Sequence, residues 1–176
     1  MSLTTTPNAN DYIERFGEML ENSPFVFPNS IGGNDQVEDL VKQVILYELP
    51  INEQPLTGQG PPMIFIANSR NPIINRRQTG RDSRDVQGPE LLTLEVYIVI
   101  VVQGLDYADS QTQLYNIIQA ITTTLLKNLR MVDQNGDNPL CRKLSFIDLP
   151  WILESDDKRV IARNFLVRPE VYVTLR

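Results

Sequence analysis

The run LLTLEVYIVIVVQG (91–104) constrains the fold more than any other part of the chain. A strand sends successive side chains to opposite faces. Leu92, Leu94, Val96, Ile98, Ile100 and Val102 then share one face, and Thr93, Glu95, Tyr97, Val99, Val101 and Gln103 share the other. The first face has no polar member, so it must lie on a core. The second is mixed and turns apolar toward its C-terminal half. That pattern suits a central antiparallel strand whose second face is partly covered. The rest of the chain has to supply partners for this strand and a layer over it.

Two segments have the periodicity of such a layer. Tyr12, Ile13, Phe16, Met19 and Leu20 predict an amphipathic helix near 7–22, capped by Thr6, with Pro7 in its first turn. Glu14, Arg15 and Glu18 fall on its wet side. A second helix is expected at 110–128, where Ser110 and Gln113 make a capping-box pattern and Leu114, Ile117, Ile118, Ile121 and Leu125 form the stripe. Thr122, Thr123 and Thr124 lower its helix propensity, so packing must hold its last turns.

Further strands are expected at 44–51, 63–69 and 144–149, the last broken by Pro150, with 151–155 extended after it. A long final strand at 159–175 is expected to be bulged near Pro169 and to lie at a sheet edge there. Residues 25–35, 52–62 and 131–139 read as loops or turns, with Gly32 and Gly33 as breakers in the first. This order predicts an α+β fold: a mostly antiparallel sheet of four to six strands with both amphipathic helices packed on one face. The 176 residues form one expected domain, 1–176. A chain of that size buries roughly 70% of its unfolded surface and needs no disulfide or metal to fold.

The segment NSRNPIINRRQTGRDSRDVQGPE (68–90) does not fit that scheme. It holds Arg70, Arg76, Arg77, Arg81 and Arg84, and it reads as a long loop too polar to join the core. Loops of about 20 residues are uncommon inside a domain unless they are functional or disordered. The plain reading is a solvated loop. The functional reading is an arm that orders against an acidic partner, because arginine pairs bidentately with carboxylates and is favoured at interfaces. Nucleic acid ranks lower as a partner, since the segment lacks interleaved aromatics and the chain is acidic.

Charge supports a two-ended molecule. The chain carries 22 acids and 16 bases, for a net charge of −6. Residues 1–56 hold nine of those acids and two of the bases, or −7, which leaves +1 for the remainder. Such polarity suits head-to-tail self-association and argues against general binding to nucleic acid or anionic membranes.

Chemistry is scarce. The absence of histidine removes Ser-His-Asp and Cys-His catalysis and His-bearing zinc sites, and lowers the expectation of an enzyme. The lone Cys141 permits no internal disulfide and reads as a small buried apolar residue. Asp133, Asn135 and Asp137 imitate a calcium loop, but Asn138 and Leu144 stand where its glycine and glutamate belong, so an Asn-Gly turn is the better reading. Asp148, Glu154, Asp156 and Asp157 leave a carboxylate-dependent hydrolase as the rival from a different class. GQGPP (58–62) lacks the lysine of a phosphate loop. No cofactor is expected. The start MSLTTTPNAND lacks the features of a signal peptide, and no apolar run reaches the ~20 residues needed to span a bilayer.

The order of elements resembles the phage tail terminator family, the tail completion or minor tail protein U-like group. The resemblance is carried by the helix DYIERFGEML, the stretch VILYELPINEQPLTGQGPPMIFIANS and the strand LEVYIVIVVQG after a long loop. The helix DSQTQLYNIIQAITTTLLKN and the closing RNFLVRPEVYVTLR complete it. It implies an α+β subunit of a six-fold ring that caps the tail tube, stops its polymerisation and docks the head connector. The implied partners are further copies of the chain, the tail tube protein, the connector or stopper protein and, in a contractile tail, the sheath. The implied location is the neck of the virion, after assembly in the host cytoplasm, with nucleic acid met only as the genome passing through the lumen. Another neck component, a head-completion or stopper protein, is the alternative within the class. On this reading the five arginines contact a neighbouring subunit or partner.

Overall fold

The computed structural model describes the backbone of residues 9–33, 36–47, 60–78, 89–129, 131, 141–154 and 159–174. Side chains are described for the same residues except 9, 69–78, 89–92, 148–154 and 172–174. The elements run α1 (Ala9–Glu21), α2 (Pro28–Gly32), β1 (Gln43–Leu46), β2 (Met63–Gln78), β3 (Pro89–Gln103), α3 (Tyr107–Lys127), β4 (Lys143–Glu154) and β5 (Val160–Thr174). The strands form one five-stranded sheet in the order β1-β2-β3-β5-β4. β1 pairs parallel with β2, and the other pairs are antiparallel. The fold is α+β, as the sequence predicts.

β3 is central, and both faces expected of it appear. Leu94, Val96, Ile98, Ile100 and Val102 join a core with Ile64 and Ile66 of β2 and Ile161, Phe165, Val167 and Val171 of β5. The stripes of α1 (Tyr12, Ile13, Phe16, Leu20) and α3 (Leu114, Ile117, Ile121, Leu125) close that core from one side. Val99 and Val101 point the other way and bury with Met63, Phe65 and Ala162. The two helices also meet directly: the Ser23 and Thr124 hydroxyls lie 2.5 Å apart and buried, so the last threonine of the weak helical stretch is fixed by α1's end.

α3 explains the strand order. β3 and β4 run the same way with β5 between them, so α3 is the crossover of a split β-α-β unit. Its start differs from expectation. The N-cap is Asp106, whose carboxylate accepts from the Asp109 amide at 2.8 Å. Ser110 sits inside the first turn, fully buried. Its hydroxyl accepts from the Gly104 amide at 2.9 Å and lies 2.5 Å from the Arg159 carbonyl and 2.9 Å from the Asp106 carbonyl, donating to one of them. The expected Ser110–Gln113 box does not form; the helix starts earlier, where the Asp106 side chain satisfies the Asp109 amide.

Three strand expectations are corrected. β2 does not end at residue 69 but continues to Gln78, so much of the expected loop 68–90 is a hairpin strand. β4 passes through Pro150, which lies where the register shifts between Leu149 and Ile152, on a sheet edge that tolerates a missing N–H. Pro169 is not at an edge: β5 lies between β3 and β4. On the β3 side, pairing skips from Thr93↔Glu170 to Val96↔Val167 without a change of register, while Leu144↔Pro169 is kept on the β4 side. The proline is accommodated by a pause in one ladder.

Smaller differences follow from local chemistry. PNSIG forms the short α2, with Pro28 in its first turn and Gly33 left-handed (φ 60°) after it, where a loop was expected. β1 stops at Leu46, and Tyr47 turns the chain with φ 67°. The proposed Thr6 cap, the 133–137 turn and Asp156–Asp157 lie outside the described residues.

Candidate interaction site

The β2–β3 hairpin is unusually long. β2 has 16 residues and β3 has 15, against a usual strand of about 5–6. β1 accompanies β2 only from Met63 to Ile66. Past that point, among the described residues, β2 is paired on one side alone, through Ile73↔Leu94, Arg76↔Leu92, Arg77↔Leu91 and Gln78↔Glu90. Register shifts fall between Asn68 and Ile73, a stretch that holds Pro72, and between Ile73 and Asn75. Bulges and a proline are devices that keep an open edge from unregulated pairing.

The structure brings Arg70, Arg76 and Arg77 into this one strand. Arg81 and Arg84 lie outside the described residues. The β2 segment 69–78 contains three arginines and no acid. Pattern reading missed the strand because its polar residues and bulges break the two-residue period. The signal that marks it is the partner strand: Leu91–Leu94 needed something to pair with.

Two contacts fix the root of this arm. Asn68 donates to the Asn10 side chain at 3.0 Å, which ties β2 to the start of α1. One pair of residues across the sheet, Glu95 of β3 and Arg168 of β5, sits in the pause made by Pro169. Glu95 Oε1 accepts from Arg168 Nε at 3.0 Å and Nη2 at 2.7 Å. Glu95 is 8% exposed.

The outer side of α1 is acidic. Asp11, Glu14 and Glu21 are exposed there, and Glu18 holds Arg15 at 2.7 Å. Glu14 is positioned from outside the helix by the Tyr47 hydroxyl, which donates to it at 2.6 Å; this bond raises the Tyr47 pKa. Tyr47 is itself anchored, its amide donating to the Ile66 carbonyl at 2.7 Å. In the first turn of α2, the Asn29 and Ser30 amides and the Ser30 hydroxyl donate to Asp39; the Ser30 hydroxyl does most to lower its pKa.

The outer side of α3 differs. No charged residue occurs from Ser110 to Leu126, yet Thr112, Tyr115, Asn116, Gln119 and Leu126 are exposed. Leu105 before the helix is 88% exposed, and Tyr107 and Leu129 at its two ends are also exposed. Loss of charge with retention of tyrosine is the composition of interface cores.

The chemical candidates fare differently. Cys141 is buried, and burial, with Glu170 nearby, pushes its thiol up to about 11, opposite to what a nucleophilic thiolate needs. Asp148 and Glu154 lie on the edge strand β4. Among the described residues no group of three or more His, Cys, Asp or Glu side chains is placed to hold a metal, and no helix is long and apolar enough to cross a membrane. Comparison with protein-family models and with curated proteins found no match to this chain.

Proposed function

We propose that the chain is a structural subunit of a phage tail terminator: a ring, hexameric by resemblance, that caps the tail tube, stops its growth and docks the head connector in the virion neck. The observation that carries this reading is the β2–β3 hairpin, which continues ten residues past the Asn68–Asn10 tie with three arginines on its outer strand. Such an arm, paired on one side alone among the described residues, suits contact with another chain. Rings need heterologous contacts, one patch against a different patch, of about 1,200–2,000 Å². The uncharged outer side of α3, with Tyr115 and Leu126, is a second surface suited to burial.

The test is the mass in solution and the position on particles. The reading expects a ring-sized oligomer, free or on isolated tail tubes, located by cryo-electron microscopy at the tube end. A protein that stays a single chain at high concentration and also ignores tail tubes overturns it.

A further inference from the structure

We infer that the outer face of α3 packs antiparallel against the same face of a second copy of this chain, Tyr115 of each copy meeting Gln119 of the other. Six residues, Ala108, Thr112, Tyr115, Gln119, Thr122 and Leu126, recur along α3 at alternating steps of four and three. That spacing is a heptad seam, which keeps to one side of a helix and suits a helical partner. Five of the six are exposed and Thr122 is half-buried, while the core stripe of Leu114, Ile117, Ile121 and Leu125 lies on the other side of α3. A helix face turned to water ordinarily carries charge. The 17 residues from Ser110 to Leu126 hold none, where the 22% charged content of the chain would put about four.

A second copy is the occupant because the seam complements itself. Its steps read the same in both directions, so two seams laid antiparallel stay in step. Ala108 then faces Leu126, Thr112 faces Thr122 and Tyr115 faces Gln119. Small meets large at the ends, hydroxyl meets hydroxyl, and a phenol meets an amide at the centre. Leu105, 88% exposed, and Leu129, 43% exposed, continue the count just outside the helix and face each other too. A parallel pair would set Leu126 on Leu126 and Ala108 on Ala108, crowding one end and leaving the other hollow. The antiparallel pair also opposes the helix dipoles and brings Asp109 of the first turn toward Lys127 of the last, although each has a contact in its own chain. With no charge on the seam, two identical faces meet without repulsion. Leu105, Tyr115, Leu126 and Leu129 together expose several hundred Å² toward the ~800 Å² that each partner gives to a standard interface. The inference goes beyond the ring reading, since a two-fold contact pairs chains, or whole rings, and does not close a ring.

The experiment uses full-length variants. Ala108 and Leu126 are 18 residues apart, about 27 Å along the helix. A disulfide needs Cα atoms within about 7 Å, so in the antiparallel pair neither A108C nor L126C bridges to its own kind, but an oxidised mixture of the two does. Cys141 is buried, and the unaltered chain is the blank. Separately, Y115E/Q119E sets carboxylate against carboxylate at the centre of the seam and is expected to weaken pairing by about tenfold or more. The assembled mass then halves, from two chains of 20.1 kDa to one or from paired rings to single rings. Y115E/Q119K puts opposite charges face to face and restores it. Bridging by A108C or L126C alone, no bridge in the mixture, or a mass unchanged in Y115E/Q119E overturns the contact, and a ring-sized mass in that case leaves the ring reading standing. A mass of two chains and nothing larger, even on tail tubes, with the mixed bridge formed, supports the contact while the ring reading fails.

Discussion

Glu95 and Arg168 face each other across β3 and β5 at the one place where the ladder between those strands pauses. Pro169 brings the pause, because it has no N–H to give. The guanidinium spans the gap with two bonds to one carboxylate oxygen, at 2.7 and 3.0 Å. The sheet is thus cross-linked by side chains where it is not cross-linked by backbone, at the root of the arm.

Removing one partner of this pair should cost more than removing both. Arg168→Met leaves Glu95 nearly buried without its cation. The expected loss is about 2 kcal/mol, toward the low end for buried pairs because Arg168 is about one-third exposed. The double variant Glu95→Leu with Arg168→Met should recover at least half of that. Urea denaturation of the three proteins measures the coupling; equal losses in single and double variants would show that the pair acts only through packing.

The start of α3 should be equally sensitive. A Cβ added at Gly104 would lie 2.5 Å from Asp109 Oδ2 and 2.6 Å from the Ser110 amide nitrogen, too close for any real contact. Gly104→Ala is expected to destabilise by about 1–3 kcal/mol, as overpacking does. Ser110→Ala should cost a similar amount, since its hydroxyl serves the Gly104 amide and a carbonyl acceptor in a buried position. Gly17→Ala is the control: its close neighbour is the flexible tip of Leu46, which can shift.

Cys141 gives a pH prediction with a definite sign. Burial raises its pKa from 9.0 to about 11 in the folded chain. Between those values the unfolded chain loses the proton and the folded chain keeps it, so stability falls as pH rises from about 9 to 11 and is unaffected near neutrality. The slope from this group cannot exceed about 1.4 kcal/mol per pH unit. Tyr12, whose hydroxyl is also raised by burial, acts in the same direction at still higher pH. The difference between the native chain and Cys141→Val, followed by thermal melting against pH, isolates the thiol. A difference that does not change between pH 8 and 11 would contradict it.

Replacing Arg76 and Arg77 with serine should leave the melting temperature of the isolated chain almost unchanged, within the ~0.5 kcal/mol usual for surface changes. Assembly should weaken instead. A large loss of stability in the single chain would mean that the arm packs on its own body.

Much of the fold was legible because it obeys two periods. The two-residue alternation of β3 fixed its faces, and the apolar stripes of α1 and α3 fixed theirs. The arm was not legible, because a strand held mainly by its partner's backbone need not alternate, and bulges around Pro72 scramble what alternation there is. The two later prolines differ from expectation in opposite senses. Pro150 looked like a stop but rides a bulge on the edge strand β4, and Pro169 looked like an edge residue but sits inside β5. Sequence gives the missing N–H and not the neighbour that would have used it. Of the candidate site, the arginines and the acidic helix were visible as charge; the Tyr47–Glu14 bond came only with the structure.

The most direct measurement is the solution mass of the unaltered chain by light scattering, with and without isolated tail tubes. A ring-forming terminator gives a discrete, ring-sized multiple of 20.1 kDa, in solution or on tubes, that dissociates as salt is raised. A single-chain mass at every concentration and salt, with no binding to tubes, would contradict it.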